Sequence, residues 1–176
     1  MLQIKIAEIP EEGLSVKVTD MSWFPTREVP IKGEVRAEVF LTLSNERVFV
    51  SGSIKLVMLL VCDRCLNDFE LPRDISFRVV CDLNGEDPAL AVREYECDSN
   101  EMDVVFLEEP VIDLGNILTQ QLFLAVPQKK LCRTDCAGLC PECGEDLNKR
   151  KCGCRIGDDD SPFNVLGRLI TKKNSD

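Results

Sequence analysis

The sequence predicts an α+β fold: a mainly antiparallel β-sheet domain with one or two packed helices, followed by a C-terminal cysteine-rich module of zinc-ribbon-like type. Three observations support it. Apolar and polar residues alternate through much of the first 83 residues, helical periodicity appears just before residue 127, and six of the ten cysteines fall within residues 131–154. We therefore expect a β-rich domain ending in a helix in residues 1–127, and a zinc-binding module with a C-terminal helix in residues 128–176.

The N-terminal segment predicts two short strands and a loop. Residues 2–6 and 14–18 alternate on either side of a Pro-Glu-Glu-Gly break, so a small hairpin is expected there. Residues 20–33 contain two prolines and predict a loop. Its two aromatic residues, Trp23 and Phe24, are expected to cap one end of the core, with contact to a partner as the alternative.

Three longer strands are expected next. Residues 35–43 carry the clearest alternation and should bury one face. Residues 48–61 are β-rich on both faces, and their apolar second half predicts a central strand covered on both sides. Gly52 within this segment indicates a bulge or bend. Residues 75–83 alternate again and predict the following strand.

Two helices are expected in the rest of the chain. The first spans residues 113–126, because Asp113 can cap it, apolar residues recur at helical spacing, and Pro127 stops it. The second begins at Ser161, a good cap, with Pro162 in its first turn. Its apolar face is expected to pack on the sheet, with a partner as the alternative.

Composition restricts the possible functions. The chain has no histidine, which removes the commonest general base and argues against an enzyme. The net charge of −10 argues against a plain nucleic-acid binder. The first residues lack the pattern of a signal peptide, and the longest apolar run is too short to span a bilayer. Ten cysteines without an export signal favour a reducing compartment.

Charge is distributed unevenly along the chain. Residues 82–109 carry ten acidic residues and one basic residue, whereas residues 128–155 carry seven basic and four acidic residues. The acidic segment is interpreted as a solvated loop, with a docking surface for a basic partner as the alternative. The cysteine-rich segment is therefore a basic module on an acidic protein.

Eight cysteines occur in four closely spaced pairs. Such neighbours are poor disulfide partners but good metal ligands, because a tight turn can direct two thiolates at one ion. The pairs are Cys62 and Cys65, Cys132 and Cys136, Cys140 and Cys143, and Cys152 and Cys154. Eight thiolates make two closed four-cysteine sites, most simply for two Zn²⁺ ions, with an iron–sulfur cluster as a chemically allowed alternative.

The pairing of these cysteines has two solutions. Short loops close at lower entropic cost, which favours joining Cys140/Cys143 to Cys152/Cys154 and leaving Cys62/Cys65 to meet Cys132/Cys136. The competing arrangement joins Cys62/Cys65 to Cys140/Cys143. Redox use of the Cys62–Cys65 motif is disfavoured because β-type sequence lies on both sides, whereas redox pairs open a helix.

Taken together, these motifs make the chain similar to the YceD family of large ribosomal RNA subunit accumulation proteins. The resemblance covers most of the chain, although Ser161 and Phe163 depart from the Asp-Pro-Arg ending of the family. Its motifs are Cys62-Asp63-Arg64-Cys65-Leu66, Phe69, Ile112-Asp113-Leu114, Leu124-Ala125-Val126-Pro127, Cys136 to Gly144, Leu147-Asn148, Cys152-Gly153-Cys154 and Ser161-Pro162-Phe163.

The resemblance implies a non-enzymatic cytoplasmic factor for large ribosomal subunit assembly and for 23S rRNA processing or accumulation. Its partner would be a basic large-subunit ribosomal protein or a precursor particle, with no membrane or small-molecule substrate. A zinc-thiolate redox sensor is the alternative, and a hydrolase acting on rRNA is less favoured because histidine is absent. Contact with rRNA phosphates is assigned to Lys129, Lys130, Arg133, Lys149, Arg150, Lys151 and Arg155.

Overall fold

The protein is described here by a computed structural model, in which residues 2–44, 47–83 and 104–154 are described. The chain forms two compact units. The first comprises Met1–Leu60 and Asp68–Lys130, and the second comprises Val61–Asn67 and Leu131–Asp176. The sequence-based division at residue 127 did not assign the segment Val61–Asn67 to the second unit. Most of the acidic segment, Cys97, Arg155 and the expected helix from Ser161 lie outside the described residues.

The described part of the first unit contains two sheets and one α-helix. The larger sheet has five strands and the smaller one has two. The strands are β1 (Gln3–Lys5), β2 (Leu14–Val18), β3 (Arg36–Ser44), β4 (Arg47–Val61), β5 (Asp68–Asp82), β6 (Val104–Phe106) and β7 (Val111–Asp113), and the helix is α1 (Leu114–Ala125). The larger sheet has the order β2-β3-β4-β5-β6, and β1 pairs with β7. The expectation of a mainly antiparallel sheet with a helix is confirmed.

Strand pairing corrects the expected N-terminal hairpin. β2 pairs antiparallel with β3, with Val16 opposite Val39, and β1 pairs antiparallel with β7, with Ile4 opposite Ile112. A turn of 3-10 helix at Ile6–Glu8 separates β1 from β2. The alternation of residues 2–6 and 14–18 correctly predicted strands, but a half-buried strand does not specify its neighbour. The strands with which β1 and β2 pair lie far from them in the sequence.

β3 and β4 form the centre of the core. They pair in a continuous antiparallel register that runs from Arg36–Lys55 to Ser44–Arg47. The apolar residues of β4 alternate with exposed or half-buried ones, so the strand is fully covered on one face only, and the expectation of cover on both faces was wrong. β5 begins at Asp68 and therefore extends seven residues before the predicted start at residue 75.

Gly52 serves close packing rather than a bulge. Its register opposite Val39 is unbroken, so the bulge expected from sequence is absent from the β3–β4 pairing. A Cβ at Gly52 would lie 2.6 Å from Cζ of Phe77 and 2.7 Å from the carbonyl oxygen of Glu38. Real carbon atoms cannot approach so closely, so this position requires glycine.

The helix and the loop before β3 complete the core. The side chain of Asp113 accepts a hydrogen bond of 3.0 Å from the backbone N–H of Asn116, which is the expected cap. Leu114, Leu118 and Leu122 are fully buried. Trp23 and Phe24 are also buried, as the capping interpretation requires. No helix in the described part of the chain is both long and apolar enough to cross a membrane.

Candidate metal centres

The second unit brings the eight paired cysteines into two clusters. The sulfur atoms of Cys62, Cys65, Cys132 and Cys136 lie within 4.8 Å of one another, and we call this group the first thiol cluster. The sulfur atoms of Cys140, Cys143, Cys152 and Cys154 lie equally close and form the second thiol cluster. This is the arrangement that loop closure favours, and the competing arrangement is not seen.

Distances within the first thiol cluster suit a tetrahedral metal ion. The sulfurs of Cys62 and Cys136 are 3.8 Å apart, as are those of Cys65 and Cys132. A tetrahedron with metal–sulfur bonds of about 2.3 Å has sulfur–sulfur edges of about 3.8 Å. A disulfide would need about 2.05 Å, and these cysteines are free. The sulfur separation therefore matches four thiolates around one Zn²⁺.

Each cluster contains a tight turn of the same geometry. The backbone N–H of Leu66 donates to the carbonyl oxygen of Cys62 at 2.9 Å, and that of Gly144 donates to Cys140 at 2.9 Å. The residue after the second cysteine is left-handed in both turns, with φ of 57° at Leu66 and 72° at Gly144. We call these turns the first and second knuckles. The repeated bond explains why two cysteines separated by two residues direct both sulfurs to one point.

Two hydrogen bonds link the first knuckle to the segment that precedes the second. The N–H of Leu139 donates to the carbonyl oxygen of Arg64 at 3.1 Å, and the Arg64 guanidinium donates to the carbonyl oxygen of Cys136 at 2.8 Å. A Cβ at Gly138, where φ is 76°, would lie 3.1 Å from the oxygen of Arg64. The first knuckle is thus held against the segment that carries the second. A single antiparallel bridge joins Leu139 and Asp146, and a complete zinc-ribbon hairpin is not evident in the described residues.

Two asparagines and one aspartate support the first thiol cluster. Side-chain N–H groups of Asn67 and Asn148 donate to the sulfurs of Cys65 and Cys136, at 3.5 and 3.3 Å. Asp146 accepts from Asn67 at 2.7 Å and from the side chain of Asn148 at 2.9 Å. Sequence reasoning missed this role because asparagine spacing carries no metal-ligand pattern. Such outer hydrogen bonds orient ligands and tune the metal.

The electrostatics of the first thiol cluster favour a bound cation. Burial acts to raise the pKa of Cys62, but hydrogen bonds from three backbone N–H groups outweigh it and lower the pKa to about 6. Burial, together with contacts to the neighbouring sulfurs, raises the pKa of Cys132 to about 12. Burial also opposes ionisation of Cys136, but hydrogen bonds, the largest from the Asn148 side chain, lower its pKa. The charge of these two thiolates opposes ionisation of the others. A dication would remove that opposition.

The second thiol cluster shows the same pattern. The backbone N–H of Cys143 acts against burial and lowers the pKa of Cys140 to about 7. Contact with the sulfur of Cys143, followed by burial, raises the pKa of Cys154 to about 12. Both clusters therefore combine thiols whose pKa is lowered with thiols whose pKa is raised, and the latter need a positive charge nearby to ionise.

The two clusters differ in their access to solvent. In the first, Cys62, Cys65 and Cys136 are buried, with exposures of 0%, 3% and 2%. In the second, Cys143 is exposed and only Cys140 is buried. An open cleft of about 490 Å³ lies over the second thiol cluster, and it is lined by Cys143, Glu145, Arg150, Lys151, Cys152, Gly153 and Cys154.

Four-cysteine sets restrict the chemistry. Soft thiolates select Zn²⁺ or an iron–sulfur cluster rather than Mg²⁺ or Ca²⁺. Four protein ligands around one zinc leave no position for an activated water. Both sets therefore fit structural metal ions.

The basic residues predicted to contact rRNA are divided between the units. Lys129 and Lys130 belong to the first unit, and Arg155 lies outside the described residues. The remaining four belong to the second unit, and three of them are engaged in ion pairs. These pairs are Arg133 with Asp135 at 3.4 Å, Lys149 with Asp146 at 3.6 Å, and Arg150 with Glu145.

Cys81 belongs to neither cluster. It is 1% exposed in β5, and burial raises its pKa to about 11. A thiol that is neutral and buried behaves as a small apolar side chain, which is the role that its apolar strand predicted.

Comparisons with known proteins agree with these motifs. A sequence model of the family described as "Large ribosomal RNA subunit accumulation protein YceD" matches residues 50–170. A protein of Arabidopsis thaliana, "Large ribosomal RNA subunit accumulation protein YCED homolog 1, chloroplastic", is 34% identical over 58 residues, which are 33% of this chain and 18% of that protein. Uncharacterized proteins of Mycobacterium bovis and Mycobacterium tuberculosis are 27% identical over 103 residues, 58% of this chain and 46% of each relative.

The matches leave part of the relatives uncovered. The chain aligns with less than half the length of the curated relatives it matches, at 46% or less. No solved structure was found to match it significantly. The family match nevertheless covers most of the chain and spans all eight paired cysteines. The chain therefore belongs to the YceD family.

Proposed function

We propose that the protein is a non-enzymatic factor for large ribosomal subunit assembly and for 23S rRNA processing and accumulation. It acts by binding a basic large-subunit ribosomal protein or a precursor particle. The proposal is supported by membership of a family described by large ribosomal RNA subunit accumulation. The Arabidopsis relative carries the same description in its name.

The observation that carries the proposal is the pair of closed thiol clusters. Each would hold one Zn²⁺ through its four cysteines and leave no open position for catalysis. The ligands are Cys62, Cys65, Cys132 and Cys136 for one ion, and Cys140, Cys143, Cys152 and Cys154 for the other. Metal sites of this kind contribute about 10–16 kcal/mol of apparent binding energy in small zinc peptides. They would therefore order a unit whose described part contains little regular structure.

Charge favours a basic protein as the partner. The formal net charge is −10 with all thiols protonated. Four thiolates around one Zn²⁺ carry a formal charge of about −2, so two loaded sites bring the protein to about −14. The described part of the second unit has five acidic and five basic residues, so it is neutral before metal binding and negative afterwards. Contact between its cations and rRNA phosphates is opposed by this charge and by the ion pairs, although it stays part of the proposal.

A reducing compartment fits the described cysteines. All nine of them are free thiols, and thiolate metal sites persist where glutathione and thioredoxin keep cysteine reduced. We accordingly assign the protein to the cytoplasm, where ribosomal subunits of bacteria are assembled.

Co-sedimentation with large-subunit precursors tests this function. The tagged protein should migrate with precursor particles in a sucrose gradient at low salt and be released as salt rises, since attraction between opposite charges is screened. A variant lacking both metal sites, with Cys62→Ser and Cys143→Ser combined, serves as the control and should stay at the top of the gradient. Migration of the unaltered protein as a free species at every salt concentration would contradict the proposal.

A zinc-thiolate redox sensor is the second candidate, and the exposure of Cys143 favours it. Two thiolates of the second thiol cluster would give two electrons to one peroxide molecule. Their sulfurs would then join in a disulfide, the O–O bond of the peroxide would break to give two water molecules with two protons from solvent, and the zinc would be released. Release of one zinc per chain by mild peroxide, reversed by a thiol reductant, is the expected result. Retention of both ions under the same treatment would exclude this sensor.

A further inference from the structure

The two knuckles place different residues at the same structural position. In the second knuckle this position is Gly144, with φ of 72°, and in the first it is Leu66, with φ of 57°. Both residues donate the same 2.9 Å hydrogen bond to the first cysteine of their turn. A left-handed backbone favours glycine because a Cβ comes close to the following carbonyl. Leu66 is the one non-glycine residue with positive φ in the described part of the chain.

Packing against the described residues does not account for the leucine. Leu66 is 64% exposed, although the cysteine before it is only 3% exposed. Val61, which precedes the knuckle, is 50% exposed. An apolar side chain that contributes little to the core, on a backbone that opposes it, requires another explanation.

We propose that Leu66 is the apolar anchor of a docking surface for a basic protein, which receives the leucine in an apolar pocket. The proposal rests on the proposed function, because it names the contact through which the large-subunit partner would bind. Buried apolar anchors surrounded by polar residues carry most of the energy of protein–protein interfaces.

The backbone presents this anchor in a fixed position. Besides the bond from Leu66 to Cys62, the N–H of Cys62 donates to the carbonyl oxygen of Asn67 at 2.9 Å. The side chain of Asn67 is itself held by Asp146 at 2.7 Å. An anchor that is already ordered loses little conformational freedom when it binds. The metal site would therefore serve to hold the leucine outward.

Charge and chemistry favour a protein over RNA at this surface. The described part of the second unit is neutral by its side chains and becomes negative when the clusters hold Zn²⁺, so it attracts a basic surface and repels phosphate. Proteins that contact unpaired bases use aromatic rings or guanidinium groups for stacking, and leucine offers neither.

Two variants of Leu66 test the proposal. Leu66→Gly and Leu66→Asn both accept the left-handed backbone and remove the apolar side chain. Leu124→Ala is the matched control, since Leu124 is an even more exposed leucine, at 75%, in the first unit. The probes are salt-washed large subunits, the protein mixture extracted from them, and their protein-free rRNA.

We expect both Leu66 variants to lose about tenfold or more in affinity for the subunits and for the extracted proteins. The control should bind as the unaltered protein does. Both variants should keep two zinc ions per chain, and Leu66→Gly should melt no lower than the unaltered protein because it relieves the backbone.

The contrary outcomes are distinct. Equal binding by the unaltered protein and the Leu66 variants would overturn the anchor while leaving the proposed function intact. Loss of zinc or a lower melting temperature in Leu66→Gly would show that the leucine is structural. Binding to protein-free rRNA that is equally sensitive to Leu66 would replace the protein partner by RNA. Absence of any binding by the unaltered protein would remove both proposals.

Discussion

Replacing one cysteine in each cluster tests how the metal sites are built. Cys62→Ser and Cys143→Ser remove one thiolate each, from the first and the second thiol cluster respectively. Because the clusters share no ligand, each variant should lose one zinc equivalent and keep the other. Cys81→Ser is the control, since Cys81 belongs to neither cluster and should leave both ions in place.

The two variants should differ in stability. The first thiol cluster joins Cys62 to Cys136 across 74 positions of the chain. The second joins Cys140 to Cys152 across only 12. The entropy of closing a loop grows as three halves of RT times the logarithm of its length, so the first closure restrains the unfolded chain by about 1.6 kcal/mol more. Cys62→Ser should therefore destabilise the protein by at least this much more than Cys143→Ser.

Metal analysis and denaturant unfolding measure both quantities. Zinc per chain is determined by mass spectrometry after gel filtration, and unfolding is followed by circular dichroism together with the fluorescence of Trp23, the single tryptophan. Cys65→Ser should reproduce Cys62→Ser, and Cys152→Ser should reproduce Cys143→Ser. The reasoning fails if Cys62→Ser and Cys143→Ser remove the same ion, or if Cys143→Ser is the less stable of the two.

Three further predictions concern the support of the clusters and the core. Asp146→Ala should weaken zinc binding at the first thiol cluster by about 10- to 100-fold, because it frees both asparagines that donate to the sulfurs. Hydrogen bonds, the largest from the Asn67 side chain, hold the pKa of Asp146 below its usual range. The stability that the Asp146 carboxylate contributes is therefore complete above the pKa that it has in the unfolded chain, and it is lost only as the pH falls below about 4. The defect measured with a zinc indicator should accordingly be constant between about pH 6 and 8, and a defect that disappears in that range would contradict the role. A chelator should remove zinc in two phases, the faster one from the exposed second thiol cluster. Cys143→Ser should abolish the fast phase. Loss of the slow phase instead would contradict the assignment of the fast phase to the second thiol cluster. Gly52→Ala should lower the free energy of unfolding, measured in urea, by about 1–3 kcal/mol, because its Cβ would meet Phe77 and a backbone oxygen. Ser53→Ala is the control and should have little effect. An equal effect of both substitutions would refute the steric account.

Much of the local structure was predictable because it depends on nearby residues. The helix α1 has its cap, its apolar spacing and its terminating proline within a short segment, and the structure places it at Leu114–Ala125 as expected. Strands β3 and β4 likewise follow from alternation. The grouping of the cysteines was predictable for a related reason. The short separations within residues 140–154 lower the entropic cost of closing a loop between those thiols.

What the sequence did not disclose depends on distant segments. β1 pairs with β7, more than 100 positions away, and nothing in the alternation of β1 identifies that partner. β6 adds to the sheet parallel to β5 within a region read as an irregular acidic loop. Asn67 and Asp146 are 79 positions apart, so their hydrogen bond has no local pattern either. Each of these features depends on contacts between segments that are distant in the sequence and meet only in the folded protein.

The charge expected of two loaded clusters explains why an acidic chain carries a basic cysteine-rich segment. Residues 128–155 carry a net excess of three basic residues, and this pattern by itself suggested contact with phosphate. Arg150 pairs with Glu145 at the cleft beside Cys143, and the Cys143 sulfur adds to the effects that raise the pKa of this guanidinium. Since each loaded cluster would carry a formal charge of about −2, cations near it lower the cost of concentrating thiolates. Arg150 is then explained as a counter-charge of the second thiol cluster, in agreement with the basic partner that we propose.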